Sequence, residues 1–152
     1  MRPHALFSGG YLMASPDEDI LSNAPVCELE EIADNVRTGQ AYLRETPIDD
    51  LIGFFSDVCH SWADPDNPIQ QQLGPRGLNF LLYWFRASHL CSVLDASMRG
   101  SRAVLDNFSK VPGVPFKLMA QPRGIICHWV SGNVPMLGML SLLQGVLTKN
   151  AN

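Results

Sequence analysis

From residue 28 onward the apolar positions fall mostly at intervals of three and four, the repeat that gathers them on one face of an α-helix. Over 28–44, Leu29, Ile32, Ala33, Val36 and Leu43 keep that interval, while Glu28, Glu30 and Glu31 crowd the first turn, where the helix dipole favours acids. A helix is expected there. Thr46-Pro47-Ile48-Asp49 then reads as an N-cap, a proline in the first turn and an acid able to close a capping box. Behind it Ile48, Leu51, Ile52, Phe55, Val58, Cys59 and Trp62 form one apolar stripe until Asp64-Pro65 stops the helix. Residues 78–98 are apolar around most of the circumference, with Phe80, Trp84 and Phe85, and Gly100 follows, so one long central helix is expected. A further helical turn or two should run through Leu105 and Phe108.

Glycine and proline punctuate the remainder. Residues 5–14 are apolar around Ser8-Gly9-Gly10, and glycine supplies the positive φ of a tight turn, so a short hairpin is expected. Between 110 and 123, Pro112, Gly113, Pro115 and Pro122 forbid regular structure and predict a connector. Residues 124–130 hold two isoleucines and a valine in a run short enough for a strand buried on both faces, as in a parallel sheet. Ser131-Gly132-Asn133 reads as a tight polar turn, and residues 135–147 as an apolar helix closed by Thr148-Lys149-Asn150, with Gly138 and Gly145 thinning it where it crosses its strand. Strand, turn and helix are half of a βαβ unit, whose second strand is expected to be missing because the sequence stops at Asn152. The fold class this implies is α/β, with a mainly helical region over 1–110, a connector over 111–123 and a strand-turn-helix over 124–152.

Composition narrows the function. A hydrophobic share of 46% and a net charge of −4 give enough apolar material for a packed core. The basic residues are scattered singly, so no stripe forms to neutralise phosphates, and nucleic acid is not expected as a partner. The longest apolar run, 134–147, contains Gln144 and falls short of the roughly 20 residues needed to span a bilayer. The apolar start is broken at Ser8-Gly9-Gly10, so no signal-peptide core forms. Cys27, Cys59, Cys91 and Cys127 are widely spaced, without a disulfide scaffold or metal knuckle, which points to a reducing, cytoplasmic setting with each thiol buried and no metal site.

The run PRGIICHWVSGNVPMLGMLSLLQGVLTKNAN over 122–152 closely resembles the start of the cofactor domain in the bacterial acyl-CoA reductase (LuxC-like) family, a branch of the aldehyde dehydrogenase superfamily. Gly124 and Asn133 stand nine residues apart, the interval between the strand-opening glycine and the loop asparagine of that superfamily. The resemblance implies a Rossmann-like, NADP-binding domain beginning at 124 and left incomplete. It implies an enzyme that reduces a fatty acyl-CoA or acyl-protein thioester to the fatty aldehyde with NADPH, by way of a cysteine thioester, for bioluminescence or other lipid metabolism. That cysteine would lie beyond Asn152, so the chain is the amino-terminal portion and inactive by itself. Asn133 would be the oxyanion donor, a neutral amide dipole worth about 3 to 4 kcal/mol to such a reaction. Trp129, Val130, Ser131 and Gly132 would run beside the nicotinamide ribose and pyrophosphate, Gly132 letting the backbone approach closely. The superfamily's usual Pro-Trp before the asparagine is replaced here by Ser131-Gly132, as in the acyl-CoA reductase branch. The ribose-binding lysine would fall past Asn152, and Lys149 is not its equivalent. The resemblance further implies an acyl-protein synthetase as a partner and a homo-oligomer at full length.

Plainer readings stand beside these. A strand, a Gly-Asn turn and a buried helix occur in many α/β domains. Cys127 lies next to His128, but successive strand residues face opposite ways, so burial of the thiol and divergence of the imidazole argue against a nucleophile. Trp62, Trp84 and Phe85 fit a core better than an acyl pocket, and the glycosylation sequon Asn107-Phe108-Ser109 means little in a cytoplasmic chain. The alternative function is a non-catalytic helical module, or a vestigial truncated reductase, whose apolar stripes dock a partner.

Overall fold

The computed structural model describes residues 5–8, 11–14, 29–130 and 137–152. Strands β1 (Ala5–Ser8) and β2 (Tyr11–Ala14) pair antiparallel from Ala5 with Ala14 to Ser8 with Tyr11, as the hairpin signal required. Helix α1 (Leu29–Glu45) and helix α2 (Ile48–Ala63) follow the expected bounds to within a residue or two. On α2 the stripe residues Ile48, Leu51, Ile52, Phe55 and Cys59 are all buried, and Trp62 packs against them from a partly buried position. That stripe is the wall on which the other helices assemble.

The expected 78–98 helix is two helices, α4 (Leu78–Trp84) and α5 (Ala87–Ser97), after a short α3 (Pro68–Leu73) that the pattern did not announce. The break has a geometric cause. Leu78, Leu81 and Phe85 are fully buried and share one face, whereas Leu90 lies five positions beyond Phe85. On a continuous helix five residues turn roughly 140° past a full circle, which would aim Leu90 and Leu94 away from the core that Phe85 enters. Arg86 takes an extended φ −62, ψ 133, and this re-aims the second half. Phe85 then sits edge-on to Phe55 at 5.4 Å and beside Trp62 at 6.3 Å. An edge-to-face pair of this kind adds about 0.5–1.5 kcal/mol to the burial itself. Helix α3 has its own local cause: Asn67 caps it by accepting from the Ile69 N–H at 2.8 Å, ahead of Pro68 in the first turn.

The cap of α2 is also not the one expected. Thr46 Oγ1 donates to the Tyr42 carbonyl at 2.9 Å and so closes α1, and the residue before α2 is Pro47, which has no capping side chain. The Ile48 N–H instead donates to both carboxylate oxygens of Asp106, at 3.1 and 3.2 Å, from 58 residues away. A carboxylate at a helix N-terminus is favoured by the dipole wherever it comes from.

After α5 a 3-10 turn (Arg102–Leu105) stands where further helix was expected, and Phe108 is exposed. Arg102 joins α5 to the start of α2 by donating to Asp95 Oδ2 at 2.7 Å and Asp49 Oδ1 at 2.8 Å. The connector is more regular than its prolines implied: β3 (Ser109–Lys110) pairs antiparallel with β4 (Lys117–Leu118). Pro112 and Gly113, the latter at φ 75, occupy the turn closed by the Val114 N–H on the Val111 carbonyl.

Helix α6 (Leu137–Leu147) packs its Leu143 and Leu147 into the same cluster as α2, α4 and α5, so one apolar core runs from Ile48 to Leu147. Among the described residues no helix is long and apolar enough to cross a membrane.

Candidate functional site

Over 124–130, where a strand was expected, no strand element forms; among the described residues the segment pairs at one point, an isolated parallel bridge between Ile125 and Ala151. The Ile126 N–H donates to the Ala151 carbonyl at 2.8 Å and the Ala151 N–H to the Gly124 carbonyl at 3.0 Å. As expected, no second strand forms among the described residues; the last residues meet the 124–126 segment through this single parallel bridge. Burial alternates along the run as a pleat demands, but one face is open. Ile125 is 46% and Trp129 97% exposed, and Cys127 is exposed with them. The strand is thus not buried on both faces, and the Cys127 thiol is not buried.

The other face is fastened by polar contacts. His128 bonds to Ser141 Oγ on α6 through Nδ1 at 2.7 Å and to Asn152 Oδ1 through Nε2 at 2.8 Å, tying α6, the 124–130 segment and the last residue together. With both ring nitrogens engaged and the ring on the opposite face, His128 offers no base to Cys127. The start of the strand is held by Asn150, whose Oδ1 accepts from the Arg123 N–H at 2.6 Å and the Gly124 N–H at 3.2 Å. Gly124 itself has φ 118, a conformation that favours glycine. At the end of α6 a Cβ on Gly145 would overlap the Asn152 side-chain amide, so that glycine does permit the close crossing; at Gly138 the added carbon would meet Val130 Cγ2 only at an ordinary 3.7 Å.

Lys149 reverses the chain between α6 and the bridge residue Ala151 at φ 58, a left-handed position usually given to glycine. Its side chain is almost wholly buried and ion-pairs with Asp106, the same carboxylate that caps α2, while Nζ also donates to the Thr46 carbonyl at 2.9 Å. The carboxyl-terminal unit is thereby locked to the junction of α1 and α2.

Of the expected site residues, Trp129 and Val130 stand at the carboxyl end of the first strand with open surface, Val130 being 41% exposed. Ser131, Gly132 and Asn133 lie outside the described residues. Sequence reasoning passed over Asp106, His128, Lys149, Asn150 and Asn152 as a supporting set. Asn150, just past a helix end, carried a weak C-cap signal, while the Lys149–Asp106 pair spans 43 residues and had none. Cys59 is chemically quiet: burial pushes its thiol pKa up, the nearby Arg86 charge lowers it in part, and Sγ donates to the Leu82 carbonyl at 3.0 Å.

Residues 43–152 match the family described as acyl-CoA reductase (LuxC). Among curated relatives, the long-chain acyl-protein thioester reductase of Aliivibrio fischeri is 43% identical over 51 residues, covering 34% of this chain and 10% of the relative. That of Photorhabdus luminescens is 41% identical over the same length and shares. That of Vibrio harveyi is 26% identical over 125 residues, or 72% of this chain and 25% of the relative. The chain thus covers only a tenth to a quarter of the length of these relatives. No solved structure matches the chain.

Proposed function

The chain belongs to the acyl-CoA reductase (LuxC) family, and from that premise we propose that it is the amino-terminal portion of an NADPH-dependent reductase of long-chain acyl-CoA or acyl-protein thioesters. The observation that carries this reading is the parallel Ile125–Ala151 pairing around α6. A parallel contact on either side of a helix is what a strand–helix–strand unit would make, and in open α/β sheets nucleotides bind beyond the carboxyl ends of the strands. Residues 131–133 follow Val130 in the sequence.

The described residues fit a nicotinamide nucleotide in one respect that matters: Trp129 and Val130, at the strand's carboxyl end, leave their surface free for it. Trp129, Val130, Ser131 and Gly132 would hold it, within the Rossmann-like domain of an aldehyde-dehydrogenase type. The bound nucleotide supplies hydride. A cysteine beyond Asn152 attacks the thioester carbonyl, the thiol of CoA or of the acyl carrier leaves, and reduction of the resulting acyl-enzyme releases the aldehyde and frees the cysteine. The Asn133 amide donates to the carbonyl oxygen as it gains charge. The His128–Ser141 bond, which ties the segment before residue 131 to the helix that begins at Leu137, supports that role, because an oxyanion donor works only when held in advance of the reaction.

The test is oxidation of NADPH with a long-chain acyl-CoA by the protein that carries this chain, in its native form and with Asn133→Ala. Loss of about 10² to 10³ in kcat is expected, with acyl binding retained. An unchanged kcat rejects the assignment of Asn133, and turnover by the 152-residue chain alone rejects a nucleophile beyond Asn152.

A further inference from the structure

Among the described residues, the backbone of 124–130 is bonded to other backbone only through Gly124 and Ile126, at the bridge to Ala151. Beyond Ile126 the segment's hydrogen bonds among the described residues all belong to one ring, that of His128, held by Ser141 Oγ at 2.7 Å and Asn152 Oδ1 at 2.8 Å. Asn152 fixes which ring nitrogen carries the proton. Its Nδ2 donates to the Asn150 carbonyl at 2.6 Å, so the Oδ1 that faces the ring is an acceptor and His128 Nε2 donates to it. Nδ1 is then the bare nitrogen, and the Ser141 hydroxyl donates to it. Asn150 continues the relay to the start of the segment, its Oδ1 accepting from the Arg123 and Gly124 N–H groups. Helix α6 makes room for the arrangement. A Cβ at Gly145 would come within 1.8 Å of Asn152 Oδ1, so glycine, which weakens a helix interior, stands where the acceptor of the His128 bond passes.

We propose that His128 is a positioning residue for nucleotide binding: clamped between α6 and Asn152, its ring sets the backbone that presents Trp129 and Val130. The inference rests on the reductase reading for the ligand and on the hydrogen bonds for the clamp. Trp129 is the next residue and Val130 the one after, and both keep open surface. In a regular sheet a ladder of backbone bonds would hold such residues in place. Here the single bridge ends before them, and the ring, fixed at two points on two different parts of the chain, takes over that part. Freedom that a ligand must remove from its site lowers affinity, so a segment clamped in advance binds more tightly than a loose one. Neither His128 nor Asn152 touches the nucleotide in this reading; both act through the backbone of 129–130.

The test measures KM for NADPH and for a long-chain acyl-CoA in the protein that carries this chain, in its native form and with His128→Ala, Asn152→Ala or His128→Gln. Loss of folded protein lowers kcat and leaves both KM values in place, whereas a displaced nucleotide surface raises KM for NADPH. His128→Ala and Asn152→Ala should each raise it by roughly five- to tenfold, the loss of one or two neutral hydrogen bonds, with KM for the acyl-CoA unchanged. His128→Gln, whose side-chain amide can still donate to Asn152, should stay within about twofold of the native value. An unchanged KM for NADPH in His128→Ala, a rise shared equally by the acyl-CoA, or a His128→Gln protein as impaired as His128→Ala overturns the proposal and leaves the reductase reading standing. A native protein that turns over no acyl-CoA with NADPH overturns the reductase reading, and the assignment of His128 with it.

Discussion

Replacing Lys149 by methionine isolates the contact that joins the carboxyl-terminal segment to Asp106 and the junction of α1 and α2. The lysine side chain is 4% exposed and Asp106 21%, so the pair is largely removed from water. Breaking a buried pair by removing one partner costs about 3–5 kcal/mol, because a charge is left behind without compensation. Here Asp106 keeps the Ile48 N–H and the amino end of α2 as partners, which places the loss near the lower bound, at about 3 kcal/mol. The Thr46 carbonyl loses its donor as well, while methionine retains much of the apolar packing of the lysine stem. In a chain of this size about 3 kcal/mol lowers Tm by roughly 6–12 °C. Urea titration followed by circular dichroism would give the difference directly, with m unchanged if only the native state is affected. Lys149→Gly should be milder by about 1 kcal/mol, since the left-handed backbone at φ 58 is relieved while the ion pair is lost. Asp106→Asn combined with Lys149→Met should destabilise by clearly less than the two single losses added, because the second change removes the stranded charge. A Lys149→Met protein within about 0.5 kcal/mol of the parent, or strict additivity in the double variant, would refute the lock, since that is the size expected of an ordinary surface substitution.

Three further outcomes follow from other parts of the structure. Iodoacetamide should modify Cys127 well before Cys59, as read by peptide mapping, because Cys127 is exposed while Cys59 is buried with its thiol pKa raised by burial. The sign follows from that direction: Cys59 stabilises the fold fully below its ordinary thiol pKa, and this contribution is lost as pH rises through the higher folded value, so alkaline unfolding should be delayed in Cys59→Ala after correction for its cavity. Gly145→Ala should displace Asn152 and break its bond to His128, exposing the Ile126 and Ala151 amides to faster hydrogen exchange, whereas Gly138→Ala should leave them protected.

What the sequence determined by itself was local in range. The 3.6-residue repeat placed α1 and α2, proline and glycine placed the ends, and the run 122–152 carried the family, because each of these signals is written in neighbouring residues. The break at Arg86 was legible in principle as a slip of five between Phe85 and Leu90, but uniform hydrophobicity over 78–98 hid it. Tertiary structure decided the rest. Asp106 caps α2 from 58 residues away, and Lys149 reaches that same carboxylate across 43. The last residues pair with Gly124 and Ile126 only because α6 folds back along the strand. Whether Cys127 is open depends on what covers a sheet face, which no spacing within the strand records. Contacts of this kind form between segments whose sequences constrain one another only through the shape they jointly build, so pattern alone could not reveal them.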